Sequence, residues 1–161
     1  MIILGIDPGM ARCGFGVIEK KGNVIKYLSA GVIESTSDYE QSERLEIIYK
    51  GIKKLIKKYK PYIIAIESLF FNRNAKTALS VGEARGVILL AAQLQKTKIM
   101  EFTPLQVKMS TTGYGMAEKL QVQKMVKALL GLKEIPKPDD AADALAIAIC
   151  CINSLKIKML T

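Results

Sequence analysis

The sequence predicts an α/β fold: a five-stranded mixed sheet, three strands antiparallel and two more added in parallel, flanked by helices. Three observations predict it. Two short apolar runs, residues 2–6 and 62–66, are each followed at once by an acid, Asp7 and Glu67. Between them lies a segment with helical periodicity, which makes a strand–helix–strand unit and therefore a parallel pair with a right-handed connection. Near the end, residues 141–152 are apolar on every helical face except at Asp143, as expected of a helix buried in the interior.

In chain order, residues 2–6 suit a central strand covered on both faces, ending in Asp7-Pro8-Gly9. Residues 13–18 and 24–33, joined across Lys20-Lys21-Gly22-Asn23, read as two further strands of a meander. Gly9, Gly14 and Gly16 match neither dinucleotide nor Walker phosphate patterns, so they read as turn and packing glycines. Within residues 40–59, Leu45, Ile48, Tyr49, Ile52, Leu55, Ile56 and Tyr59 mark an amphipathic helix. Its other face carries Lys50, Lys53, Lys54, Lys57 and Lys58, a solvated face first and a nucleic-acid contact second. Pro61 ends that helix and residues 62–66 form the next strand, closing on Glu67. Asp7 and Glu67 should then stand side by side at the carboxyl edge of the sheet, where open α/β sheets bind ligands.

Leu69, Phe70 and Phe71 follow, with at least one phenylalanine expected to be exposed beside the acidic edge, and then a helix over about residues 75–95. Within it, Gly82-Glu83-Ala84-Arg85-Gly86 permits close helix approach, inside the domain or between two copies of the chain. Residues 98–102 form another short strand and residues 104–110 one or two helical turns. The loop from Thr111 to Lys119 is a glycine turn or, with Lys108 and Lys119 on its flanks, a phosphate cradle. Residues 118–130 are again amphipathic, and Gly131 stops them. Asp139, after Pro138, stands where an N-cap belongs, and Asp140 and Asp143, three apart, share a helix face.

At 161 residues, 50% hydrophobic and 24% charged, with no repeat or low-complexity segment, the chain reads as a single domain over residues 1–161. The short, early-charged N-terminal segment is no signal peptide, no apolar run is long enough for a membrane span, and a cytoplasmic location is expected. Cys13, Cys150 and Cys151 lack metal or disulfide spacing and read as reduced, small apolar residues. The absence of histidine excludes histidine-based acid–base chemistry and the usual zinc sites. The net charge of +9, with 20 of the 24 basic residues lysine, makes a polyanion such as nucleic acid the first candidate partner. Of only five aspartates, Asp7, Asp139, Asp140 and Asp143 are placed to meet at one site. A buried carboxylate such as Asp143 needs a cation, either a lysine or a bound metal. Hard oxygen ligands without histidine or thiolate select magnesium or manganese, and two such ions suit phosphodiester cleavage.

The motifs D-P-G at Asp7, E-S-L-F at Glu67, F-T-P-L-Q-V-K over residues 102–108, T-G-Y-G-M-A-E-K over residues 112–119 and D-A-A-D-A-L-A from Asp140 occur in one order along the chain. Together they resemble those of the RuvC family of Holliday junction resolvases, over essentially the full length. The resemblance implies an RNase H-like fold, a homodimer, and symmetric nicking of four-way DNA junctions in recombination and repair. It further implies Mg2+, with Mn2+ able to substitute and two ions per site. By this likeness Asp7, Glu67, Asp140 and Asp143 take the metal-binding catalytic positions. Phe70 takes that of an aromatic residue stacking on opened bases, while Lys108 and Lys119 face the DNA backbone, joined as nucleic-acid contacts by Arg73, Lys76 and Tyr114. The RuvA–RuvB branch-migration complex is a candidate partner. The chain departs from many relatives at Cys150 and Cys151, where a histidine often lies, and at Met116, where a polar or basic residue is common. A non-cleaving module of the same fold that binds branched nucleic acid is the alternative, which the presence of all four acids disfavours. A sugar-kinase-like ATPase shares the G-I-D-P-G opening but needs two such domains, for which 161 residues leave no room.

Overall fold

A computed structural model describes residues 1–68 and 75–158, apart from the side chains of 75–77 and 156–158. Ten elements follow one another: β1 (Ile2–Asp7), β2 (Arg12–Lys21), β3 (Val24–Glu34), α1 (Gln41–Tyr59), β4 (Ile63–Glu67), α2 (Ala75–Leu94), β5 (Lys98–Phe102), α3 (Pro104–Thr112), α4 (Lys119–Leu129) and α5 (Asp139–Lys158). The five strands form one sheet in the order β3-β2-β1-β4-β5. The pairs β1–β2 and β2–β3 are antiparallel, whereas β4 pairs in parallel with both β1 and β5. The mixed sheet expected from the strand–helix–strand pattern is therefore the sheet observed.

Both faces of the sheet are covered, which is why β1 and β4 read as unbroken apolar runs rather than alternating ones. On one face α1 and α2 pack through Ile48, Ile52, Ile56, Ala84 and Ile88 against Leu4, Ile6, Ile64 and Ile66. On the other, α5 lies across the strands beneath α3 and α4, with Leu145, Ile149 and Ile152 against Ile3, Ile18 and Ile63. Residues 141–152 are buried except at Asp143, as their pattern predicts.

The approach of α5 to the sheet depends on glycines. A Cβ at Gly5 of β1 would come within 2.0 Å of the Ala144 carbonyl oxygen, and one at Gly14 of β2 within 2.1 Å of the Asp140 carbonyl oxygen. Gly16, which pairs with Gly5 across the strands, would meet the Leu145 backbone nitrogen at 2.7 Å. Gly14 and Gly16 are thus packing glycines, as the sequence suggested; Gly5 joins them, and their shared target is the backbone of α5.

Three details differ from the expectation. β2 extends at both ends, to Arg12–Lys21, because its register with β3 continues to a tight turn at Gly22, which has φ +57°. Residues 104–112 form a full helix of nine residues, started by Thr103, whose side chain accepts from the Gln106 N–H, and ended at Gly113 with φ +76°. Asp139 is the first helical residue of α5 rather than its N-cap, the Ala141 N–H donating to the Pro138 carbonyl at 3.0 Å.

Gly14→Ala should cost about 1–3 kcal/mol of folding stability, because the added methyl meets backbone that has no rotamer to yield. Urea denaturation of the variant beside the parent measures it.

Candidate active site

Two of the acids stand where the sheet ends. Ile6 pairs with Ile66 in parallel register, so Asp7 and Glu67, the last residues of β1 and β4, leave the sheet together at its carboxyl edge. The other two come from above. Gly14 is the register partner of Asp7 and also the residue over which the Asp140 carbonyl passes, so the first turn of α5 reaches that same edge. One turn further along, Asp143 projects into a cleft of about 220 Å³ lined by Asp7, Glu67, Lys108, Lys119, Pro104, Val107, Val122, Ala146 and Ile147. Acids widely separated along the chain thus share one small space, walled on the α3 and α4 side by two lysines.

The electrostatics record the crowding. Burial, then the charges of Glu67, Asp143 and Asp140, push the Asp7 carboxyl up to about 7, with Lys119 only partly opposing. Glu67 is raised by burial and by Asp143, with Lys108 pulling the other way. Asp143 is also raised, burial outweighing its ion pair with Lys119. Such a cluster prefers to hold protons until a cation neutralises it.

The cation that Asp143 requires is a lysine here. Lys119, the first residue of α4, places its Nζ 3.0 Å from Asp143 Oδ2 and 3.5 Å from Asp139 Oδ2. Burial lowers the Lys119 pKa, but the hydrogen bond and charge of Asp143, together with those of Asp139, outweigh it and leave the group above its ordinary value. Asp139, read from the sequence as a cap and as one of the aspartates near the site, is therefore also an ion-pair partner. Arg12, at the start of β2, lies with its Nε 3.4 Å from Asp140 Oδ2, yet that buried oxygen has no hydrogen-bond partner among the described residues.

Arg12 escaped the sequence reading because no local pattern marks it. The available signal was the hairpin: in the register that pairs Asp7 with Gly14, Arg12 begins β2 beyond the end of β1, at the acidic edge.

Lys108 lines the cleft as expected, whereas Tyr114, 60% exposed, is not among the residues that line it. The loop after α3 is a glycine turn more than a phosphate cradle, because several of its N–H groups are already used. That of Gly113 donates to the Met109 carbonyl, that of Tyr114 to Thr112 Oγ1, and that of Ala117 to the Tyr114 carbonyl. Phe70, Phe71 and Arg73 lie outside the described residues, as does the side chain of Lys76. The cysteines are free and buried, and burial pushes the Cys13 and Cys151 thiols up to about 12, consistent with small apolar packing residues.

The residues present fit a hard divalent cation by donor chemistry and charge. All four acids offer oxygen, Asp140 Oδ2 is buried without a hydrogen-bond donor, and Asp7 carries the repulsion of the other three, only partly relieved by Lys119. The fit is not that of a finished cage. Among the described residues no three acidic, histidine or cysteine side chains are gathered tightly enough to hold a metal ion as they stand.

The family model described as crossover junction endodeoxyribonuclease RuvC matches residues 3–151. The crossover junction endodeoxyribonuclease RuvC of Natranaerobius thermophilus is 51% identical over 158 residues, covering 98% of this chain and 98% of that protein. That of Halothermothrix orenii is 55% identical, covering 98% of this chain and 96% of that protein. Among solved structures, Thermus thermophilus RuvC in complex with Holliday junction substrate superposes with a TM-score of 0.94 at 34% identity, covering 98% of this chain and 96% of that one. The T. thermophilus RuvC structure gives a TM-score of 0.90 at 35% identity, with 98% and 97% covered. The five-stranded mixed sheet with helices on both faces is accordingly an RNase H-like fold, and this chain belongs to the RuvC family of crossover junction endodeoxyribonucleases.

Proposed function

We propose that this protein resolves four-way DNA junctions by paired symmetric nicks, each a divalent-metal-dependent phosphodiester hydrolysis, in homologous recombination and DNA repair in the cytoplasm. The observation that carries the reading is the convergence of Asp7, Glu67 and Asp143, from two strand ends and one helix, onto one cleft edged by Lys108 and Lys119, with Asp140 one helical turn before Asp143 and close enough for its charge to raise Asp7. The solved relative from T. thermophilus was captured with a Holliday junction substrate, which supports the same substrate here.

In this reading Asp7, Glu67, Asp140 and Asp143 hold Mg2+, with Mn2+ able to replace it and two ions per site. When bound, such ions supply Lewis acidity that activates water and stabilises the departing oxygen. The chain's own residues do the positioning. Glycine packing fixes the first turn of α5, and with it Asp140 and Asp143, relative to Asp7. The apolar wall of Val107, Val122, Ala146 and Ile147 keeps bulk water from one side of the cleft, which strengthens every charge interaction inside it. Lys108 and Lys119 meet the phosphate backbone, with Tyr114, Phe70, Arg73 and Lys76 as further DNA contacts.

Two nicks need two sites, and α2 offers a surface for a second copy. Leu79, Leu90 and Leu94 are 68%, 54% and 57% exposed and recur at helical spacing with Gly86, where an added Cβ would meet nothing. A solvent-facing apolar stripe of this kind suits an isologous helix contact and hence a homodimer. The RuvA–RuvB branch-migration complex is proposed as a partner on family likeness alone.

Asp7→Asn, Glu67→Gln, Asp140→Asn and Asp143→Asn should each reduce cleavage of a synthetic four-way junction by about a hundredfold or more, while junction binding persists or tightens. Gel assays with Mg2+, and with EDTA as the silent control, read both quantities, and a fully active Glu67→Gln would remove that residue from the site.

Lys108→Ala should weaken junction binding and reduce the slope of log affinity against log salt by about 1, the signature of one lost phosphate contact. An unchanged slope in a salt titration excludes the contact.

A third expectation concerns the protein in EDTA. The Asp7 pKa lies near 7 in the fold, above the 3.8 of an exposed aspartate, so the folded state holds the extra proton and loses stability as pH rises through that window. The penalty is complete above the folded value. Asp7→Asn should therefore melt several degrees above the parent at about pH 8, with the advantage shrinking toward about pH 5, as followed by circular dichroism.

A further inference from the structure

Lys119 is about half exposed, with 53% of its side chain open to solvent, and is long enough to extend into water as surface lysines do. Instead it turns back over the acidic edge and bridges Asp143 at 3.0 Å and Asp139 at 3.5 Å, two acids one helical turn apart on α5. Its charge also reaches Asp7 at the end of β1. Lys108, the other lysine of the cleft, forms no ion pair among the described residues, so basic side chains at this edge are not simply drawn to the nearest acid. On the opposite flank Arg12 stands against Asp140.

The position of Lys119 bears on why the acids couple electrostatically without forming a finished cage. A cluster of four carboxylates needs a counter-charge in every state of the protein, including the one that precedes metal loading. Lys119 supplies a single positive charge to Asp143, one of the three acids that line the cleft. An ammonium and a divalent cation repel one another, and they compete for the same Asp143 oxygens.

We propose that Lys119 is the counter-ion of the metal-free site: it holds Asp143 and Asp139 in place of a divalent cation, and it is released toward the DNA backbone when such a cation is bound. This inference rests on the reading of Asp7, Glu67, Asp140 and Asp143 as the metal-binding acids. Lys119 is thereby a positioning residue, acting through Asp143 in one state and on phosphate in the other. Because the two states exclude each other, metal binding and the Lys119–phosphate contact favour one another. By linkage, the lysine contributes to junction affinity only when a divalent ion is present.

The test uses the full chain, with Mn2+ as the probe and electron paramagnetic resonance reporting free Mn2+. Lys119→Met should bind Mn2+ about fivefold more tightly than the parent, since the competing ion pair and its charge are gone. Lys119→Arg, which keeps the charge, should stay near the parent. In junction-binding assays Lys119→Met should weaken affinity in Ca2+ but not in EDTA. Mn2+ affinity unchanged or reduced in Lys119→Met overturns the counter-ion role, because a merely structural lysine gives no gain when removed. Equal weakening of junction binding in Ca2+ and EDTA overturns the release step. Failure of the underlying site reading looks different: an Mn2+ affinity of the parent that Asp7→Asn does not reduce removes the acids as ligands, and the counter-ion proposal with them.

Discussion

Everything at the acidic edge depends on how near the α5 backbone comes to the sheet. The carbonyls of Asp140 and Ala144 occupy space that a side chain on Gly14 or Gly5 would take, and no rotamer change relieves such a clash. Helix-on-sheet packing normally leaves room for two layers of side chains. Here the sheet's layer is missing at Gly5, Gly14 and Gly16, so the first turn of α5 descends far enough for its acids to meet those that end the strands. Ala148 of α5 serves the same end: its methyl group lies against Gly5, where a larger side chain would lift the helix off again.

That closeness concentrates negative charge in a partly buried space, which is costly for folding. The protein meets the cost with neighbours rather than by removing acids: Lys119 on Asp143 and Asp139, Arg12 on Asp140, and a proton that Asp7 gives up late. Each partner sits where a charged substrate or ion would also act. The features that make the edge unfavourable for the bare protein are the ones that make it receptive to a polyvalent cation.

The fold was legible because its elements are punctuated by chemistry. Runs of isoleucine ending in Asp7 and Glu67 read as strands with an acidic edge, and the single acid within residues 141–152 singled out Asp143 on a buried helix. What sequence alone did not reveal are relationships across the chain. Gly14 and Gly16 read as turn or packing glycines and Gly5 only as part of a strand, and nothing local says that the backbone all three admit is that of α5. Arg12 opposes Asp140 only through hairpin register, and the partnership of Asp139 with Lys119 depends on how α4 is laid beside α5. The loop after α3 read first as a glycine turn and second as a cradle, and its N–H groups, bonded to partners within the loop and α3, favour the turn.

The order of the elements has a consequence for biosynthesis. β1 and β4 bring Asp7 and Glu67 early, whereas Asp140 and Asp143 lie on α5, the last of the described elements, which also fills the middle of one core layer. A chain still emerging from the ribosome therefore lacks both half of its acids and the helix that completes its interior. Under the roles proposed for those acids, competence to cut DNA arrives only together with the finished fold.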